Sequence, residues 1–178
     1  AVWIIALSEN STVLSYAQLG SADALPLVDH AQFGASLASV RGAGNDGVAV
    51  LAVGSLEKSG GGQEGGCGSV YLLNVSRSGA LLSSPVRISD GLGGFRSGLL
   101  QSGDEFGQSL ASADLDADGI PELFVGAKCG PICRRNANVP DGRGGSVFIL
   151  SLNADGTVRN HTRVHEGSAG FDSTFPYG

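Results

Sequence analysis

Apolar residues in this chain fall in short runs separated by breaks rich in Gly, Asn, Asp and Ser, and the runs repeat. Val2-Trp3-Ile4-Ile5-Ala6-Leu7, Val70-Tyr71-Leu72-Leu73-Asn74-Val75 and Val147-Phe148-Ile149-Leu150-Ser151-Leu152 share one pattern. It reads Val, an aromatic, two branched aliphatics, a small or polar residue, and a final aliphatic. A turn follows the last two copies, at Ser78-Gly79 and Asp155-Gly156, and a second strand then ends in Val86-Arg87-Ile88 or Thr162-Arg163-Val164. Aromatic and branched residues bounded by turn formers predict β-strands, and no stretch sustains an i, i+3, i+4, i+7 apolar stripe.

A second block recurs in the same order. Phe33-Gly34-Ala35-Ser36-Leu37-Ala38-Ser39 matches Phe106-Gly107-Gln108-Ser109-Leu110-Ala111-Ser112. Gly47–Gly54 matches Gly119–Gly126, and the linker Ser89–Phe95 returns as His165–Phe171. The expected fold is all-β, an array of four-stranded antiparallel blades of the β-propeller type, each burying its faces against its neighbours. Residues 1–32 then hold the last two strands of a preceding blade plus a linker. Residues 33–105 hold one full blade and its linker, and residues 106–178 a second. Two and a half blades cannot close a ring of at least about four. Further repeats elsewhere, open stacking or assembly between chains are the alternatives.

Composition narrows the class. The 178 residues include 29 glycines, in keeping with many tight turns, and only 6% aromatic residues. A net charge of −6 argues against a nucleic-acid partner, which needs clustered Lys and Arg. Apolar runs such as Val48–Val53 are far too short to span a bilayer. There is no methionine and Ala1 opens directly on strand-like sequence, so an internal or processed segment of a longer polypeptide is expected.

The chemically informative stretch is Asp114-Leu115-Asp116-Ala117-Asp118-Gly119-Ile120-Pro121-Glu122. Alternate carboxylates on a tight loop converge on one point, and Gly119 permits the sharp turn. A hard divalent cation takes six to eight oxygens at about 2.3–2.6 Å. The expected ligands of a Ca2+ ion are side-chain oxygens of Asp114, Asp116, Asp118 and Glu122 and the carbonyl of Ile120. An EF-hand is excluded: it needs a late bidentate Glu and flanking helices, whereas that position is Val125 in a strand. The competing reading is a solvated acidic turn. In the first unit the corresponding loop, Gly42–Gly47, keeps only Asp46 of the carboxylates, so weak or no calcium binding is expected there.

Taken together, the Phe-Gly start, the Asp-x-Asp-x-Asp-Gly loop and the closing Val125-Gly126-Ala127 resemble FG-GAP repeats, as in the integrin α-subunit propeller. The linker Arg87–Phe95 and the strands around Phe148 resemble the long-period FG-GAP repeats of large secreted and cell-surface proteins. The resemblance covers nearly the whole chain. It implies a mainly structural calcium site on Asp114, Asp116, Asp118, Ile120 and Glu122, and core packing for Phe33 and Phe106.

Three Asn-x-Ser/Thr sequons, at Asn10, Asn74 and Asn160, fall in the same two-strand region of successive units and point to N-glycosylation on a eukaryotic secretory route. The cysteines are Cys67, Cys129 and Cys133. A local Cys129–Cys133 disulfide, pairing of Cys67 with either, or a bridge to a partner chain all remain open. Zinc is disfavoured by the spacing and the lack of a nearby His. His161 and His165 read as surface residues, the glycine-rich segment 60–66 lacks a phosphate-loop ending, and Arg134-Arg135 is too small for a polyanion site. No nucleophile elbow occurs.

The functional expectation is therefore a non-enzymatic, calcium-binding FG-GAP segment of an extracellular or cell-surface glycoprotein, serving structural assembly or adhesion. Its partners would be other repeats of the same chain or proteins of an extracellular assembly. The alternative is the non-catalytic propeller of a secreted hydrolase or phospholipase.

Overall fold

A computed structural model of the chain describes residues 1–20, 25, 27, 31–41, 47–56, 66–128 and 145–165. All its elements are strands: β1 (Val2–Leu7), β2 (Val13–Leu19), β3 (Leu37–Arg41), β4 (Val48–Ser55), β5 (Ser69–Ser76), β6 (Val86–Ile88), β7 (Ser109–Ala113), β8 (Glu122–Ala127), β9 (Ser146–Leu152) and β10 (Val158–Val164). Among the described residues no helix is long and apolar enough to cross a membrane. Strands β1 and β2 form a hairpin; β3-β4-β5-β6 and β7-β8-β9-β10 form two four-stranded antiparallel meanders. The fold class is the expected one, blade-like sheets in series, with an open array of the described strands.

The two meanders share one register. Gly54 pairs with Val70 and Ala52 with Leu72; in the second, Gly126 pairs with Val147 and Phe124 with Ile149. Directly opposed residues point to the same face, so each row is a face element that recurs from unit to unit.

The first meander is covered on both sides. Val70, Leu72, Ala52 and Ile88 lie in a core with Leu123, Val125, Phe148 and Leu150 of the second meander. On the other side Val53, Tyr71, Leu73 and Val75 lie in a core with Val2 and Leu19 of the hairpin. That is why Val70–Leu73 are buried without alternation. In β9 burial alternates: Phe148, Leu150 and Leu152 are buried, while Val147 is exposed.

The Phe-Gly blocks are the joints. Phe106 donates its N–H to the Cys67 carbonyl (2.8 Å) and forms a parallel bridge with Gly68, tying the second unit to the start of β5. Its ring is fully buried, 5.3 Å from Phe95 and 5.5 Å edge-on to Phe148. Phe33 makes the matching edge contact with Tyr71 at 5.7 Å. The preceding residues, Gln32 and Glu105, adopt φ of 47° and 50° and close equivalent turns onto Ala35 and Gln108. Across the joint, the Ser36 hydroxyl donates to the Gly107 carbonyl and the Ser112 hydroxyl to the Ser39 carbonyl, each at 2.6 Å.

The linker between the meanders is held by Asp90. Its carboxylate accepts from the backbone N–H groups of Gly98 (2.9 Å), Leu99 (2.9 Å) and Leu100 (3.1 Å). Burial alone would push this acid up, but those donors and the Ser97 side chain together hold it below its ordinary value of 3.8. A depressed folded value means the stabilisation is present above the unfolded value and fades as pH falls through the folded one. Asp90→Ala is expected to cost about 1–3 kcal/mol at neutral pH. Its gap to the parent in urea unfolding is expected to narrow below pH 3.8. A gap independent of pH would show that the carboxylate charge is not what orders the linker.

Candidate metal centre

The acidic loop joins β7 to β8, and its shape follows from its own side chains. Asp118 and Asp116 close successive Asx turns: the Asp118 N–H donates to Asp116 Oδ1 (3.2 Å), and the Ile120 N–H to Asp118 Oδ1 (2.8 Å). The Gly119 N–H donates to Asp114 Oδ2 at 3.0 Å, and the Leu115 N–H to Glu122 Oε2 at 2.9 Å. Two left-handed residues make the reversal, Ala117 at φ 58° and Gly119 at φ 83°. Gly119 has open space where a side chain would start, so its requirement is conformational, not steric.

Asp114, Asp116 and Glu122 each bring a carboxylate oxygen to within 4.8 Å of the others. Oxygens bound to one calcium ion at about 2.3–2.6 Å lie at most about 5 Å apart, so this trio fits a single ion. The donor set is oxygen only, as a hard cation requires. Glu122 is buried at the first position of β8, whereas Asp114 and Asp116 are exposed. Such a site opens to solvent on one side and is anchored in the sheet on the other. Asp118 stands apart from the trio. Its other oxygen lies 3.4 Å from Arg159 on β10, which also sits 3.9 Å from Asp116. Ile120 supplies the N–H that Asp118 accepts and packs against the core beneath the loop. When bound, a calcium ion would neutralise the clustered carboxylates and cross-link the loop to β8; Asp114, Asp116 and Glu122 would hold it.

The remaining predicted residues are dispersed. Asn10 lies exposed in the β1–β2 turn and Asn160 exposed on β10. Asn74 is half-buried in β5, where its amide donates to the Ser83 hydroxyl at 2.9 Å. It also lines a cleft between the meanders with Val50, Leu72, Ile120 and Leu152. The Cys67 thiol is free, packs against the main core and lies 3.4 Å from the Ser89 hydroxyl. Cys129 and Cys133 lie outside the described residues, as do residues 42–46 of the degenerate first loop and the linker beyond His165. His161 differs from a plain surface residue: it is half-buried, its ring 5.1 Å from that of Phe95.

Sequence reading did not single out Arg159, Asp90 or the Glu105–Lys128 ion pair, in which Glu105 is buried. Arg159 and Lys128 meet partners distant in sequence, and no local pattern announces such pairs. Asp90 precedes a glycine in the linker, which signals a turn but not the segment it holds.

Residues 106–150, which contain the loop, β7, β8 and most of β9, match the family model of the FG-GAP repeat. No curated protein matches the chain.

Proposed function

We propose that this chain, which carries an FG-GAP repeat, is a non-enzymatic calcium-binding segment of an extracellular or cell-surface glycoprotein, serving structural assembly or adhesion. The observation that carries the reading is the convergence of Asp114, Asp116 and Glu122 around one point of the β7–β8 loop. The ion's role there is mechanical. It cancels repulsion among the acids and fixes the loop to the buried start of β8, so the blade edge keeps one shape. Other acids are already engaged structurally: Asp90 in the linker, Glu105 with Lys128, and Asp155 with Thr157 in the β9–β10 turn. FG-GAP repeats typically occur in extracellular or cell-surface proteins, which supports that placement. The exposed Asn10 and Asn160 suit N-glycan acceptors better than the half-buried Asn74.

The test is calorimetric titration of calcium into chelator-stripped protein secreted from a eukaryotic host. One strong site is expected, weakened at least about tenfold (about 1.4 kcal/mol) by Asp116→Asn, with magnesium binding more weakly. Mass analysis of the same material is expected to find glycan at Asn10 and Asn160. Calcium heats unchanged by Asp116→Asn would remove the metal assignment, and an unmodified secreted chain would remove the glycoprotein one.

A further inference from the structure

Every acid of the β7–β8 loop divides its two oxygens. One oxygen of each accepts a backbone N–H of the loop itself: Asp114 Oδ2 from Gly119, Asp116 Oδ1 from Asp118, Asp118 Oδ1 from Ile120 and Glu122 Oε2 from Leu115. The other oxygen of each lies outside these bonds. Among the described residues, one cation is aimed at those second oxygens. Arg159 Nη2 lies 3.4 Å from Asp118 Oδ2 and 3.9 Å from Asp116 Oδ2. Asp116 also belongs to the trio that converges with Asp114 and Glu122. The guanidinium therefore stands on carboxylates that a metal ion would also claim.

The backbone of β10 explains how the arginine comes to be there. Val158 pairs with Leu152 and Asn160 with Ser151, so Arg159 is an extra residue opposite no partner, the insertion of a β-bulge. A bulge re-aims the side chain it carries, and here that side chain reaches the loop 41 residues earlier in the sequence. The first unit offers an internal comparison. Between its β5–β6 turn and Val86 stand Leu82, Ser83, Ser84 and Pro85, none of them charged, and its loop Gly42–Gly47 keeps only Asp46. Acids and guanidinium are present together in one unit and lost together in the other. As an ion pair between half-exposed side chains, the contact adds little to stability, because water screens it and both side chains lose freedom. Its effect on a second cation is larger. Two positive charges repel when held on the same acids, and whichever oxygen faces the guanidinium is withheld from the metal.

We infer that Arg159 is a tethered competitor for the metal ion: it holds Asp118 and Asp116 while the loop is empty, and gives up Asp118 when calcium binds. This deepens the calcium reading and rests on it. Asp114, Asp116 and Glu122 form the entry site, and Asp118 becomes a ligand only by changing partner. Two consequences follow from the charges. Without the ion, Arg159 offsets part of the repulsion among four acids packed into nine residues, so the loop keeps its turns. With the ion, Arg159 must be displaced, so affinity is held below what the four acids alone would give. Binding also severs the tie between the loop and β10, leaving the loop anchored to β8 through Glu122.

The test is calorimetric titration of calcium into the chelator-stripped full chain, comparing the parent with Arg159→Gln and Arg159→Lys. Arg159→Gln is expected to bind calcium about three- to tenfold more tightly than the parent, with unchanged circular dichroism. Arg159→Lys keeps the charge and is expected to stay closer to the parent than to Arg159→Gln. In the 15N-labelled parent, the guanidinium resonances of Arg159, assigned by their loss in Arg159→Gln, are expected to shift on calcium saturation. The sign of the affinity change decides. Weaker binding by Arg159→Gln would mean that the arginine braces the loaded loop, and unchanged binding that it is a bystander; either overturns the inference. So does an Arg159→Lys variant as tight as Arg159→Gln, or a guanidinium signal that calcium leaves in place. In all those cases the chain still binds calcium, and the metal reading stands. A parent and variants that all ignore calcium sink the metal reading, and this inference with it.

Discussion

Phe106→Ala is expected to destabilise the chain by about 3–5 kcal/mol, the cost of emptying a buried aromatic site whose walls cannot fully collapse. Phe106 has no solvent exposure, and its ring is wedged between Phe95 of the linker and Phe148 of β9. Its backbone also forms the bridge to Gly68 at the start of β5. The lost ring therefore loosens the linker, the second meander and the joint between meanders together. A whole domain is stable by only about 5–15 kcal/mol, so this is a large share. Urea unfolding monitored by circular dichroism should show a single transition shifted to lower denaturant. Phe106→Leu should recover most of the loss. Phe33→Ala should give the smaller effect, because Phe33 keeps 8% exposure and, among the described residues, meets a single aromatic partner, Tyr71. Equal losses at both positions would show that the Phe95–Phe106–Phe148 cluster adds nothing to the joint.

Gly54→Ala is expected to cost about 2–4 kcal/mol through overpacking and a lost hydrogen bond, while Gly126→Ala, its counterpart one unit later, should cost less than about 1 kcal/mol. Both glycines sit in extended strand conformation, so neither needs a left-handed backbone. The difference is what lies over them. A Cβ at Gly54 would overlap the Gly107 carbonyl oxygen and the Ser36 hydroxyl, the two atoms that bond to each other across the joint. Backbone of the next unit would have to retreat. A Cβ at Gly126 would overlap only the Ser109 hydroxyl, a side chain free to rotate on an open face. Thermal unfolding of the two variants side by side measures the contrast. Comparable losses would mean that local strand strain, not the joint, sets the requirement for glycine.

The same pair of glycines shows how far the residues themselves reach. Gly54 and Gly126 end near-identical motifs, and nothing local separates them; only one has a neighbour pressed on it. Strands β5 and β9 teach the same lesson. Val70–Val75 and Val147–Leu152 carry the same pattern, yet the first is buried on both faces and the second on one. Position in the array decides, and position is a property of the whole chain. The acidic loop was legible because its chemistry is local: Asx turns, a left-handed glycine and closely spaced carboxylates all act within nine residues, Asp114 to Glu122. Its internal division was not. Glu122 joins Asp114 and Asp116, while Asp118 turns toward Arg159, which reaches the loop from β10 across the sheet.

Strand identity, strand order within each unit and the location of the acidic cluster were thus set by the amino-acid sequence alone. Alternation, turn residues and short-range hydrogen bonds act between neighbours along the chain. Tertiary structure alone decided which face of each described strand is covered, which glycines must stay bare, and what Asp90 and Arg159 hold. Those outcomes depend on contacts between residues far apart in sequence, where the same local pattern meets a different surface.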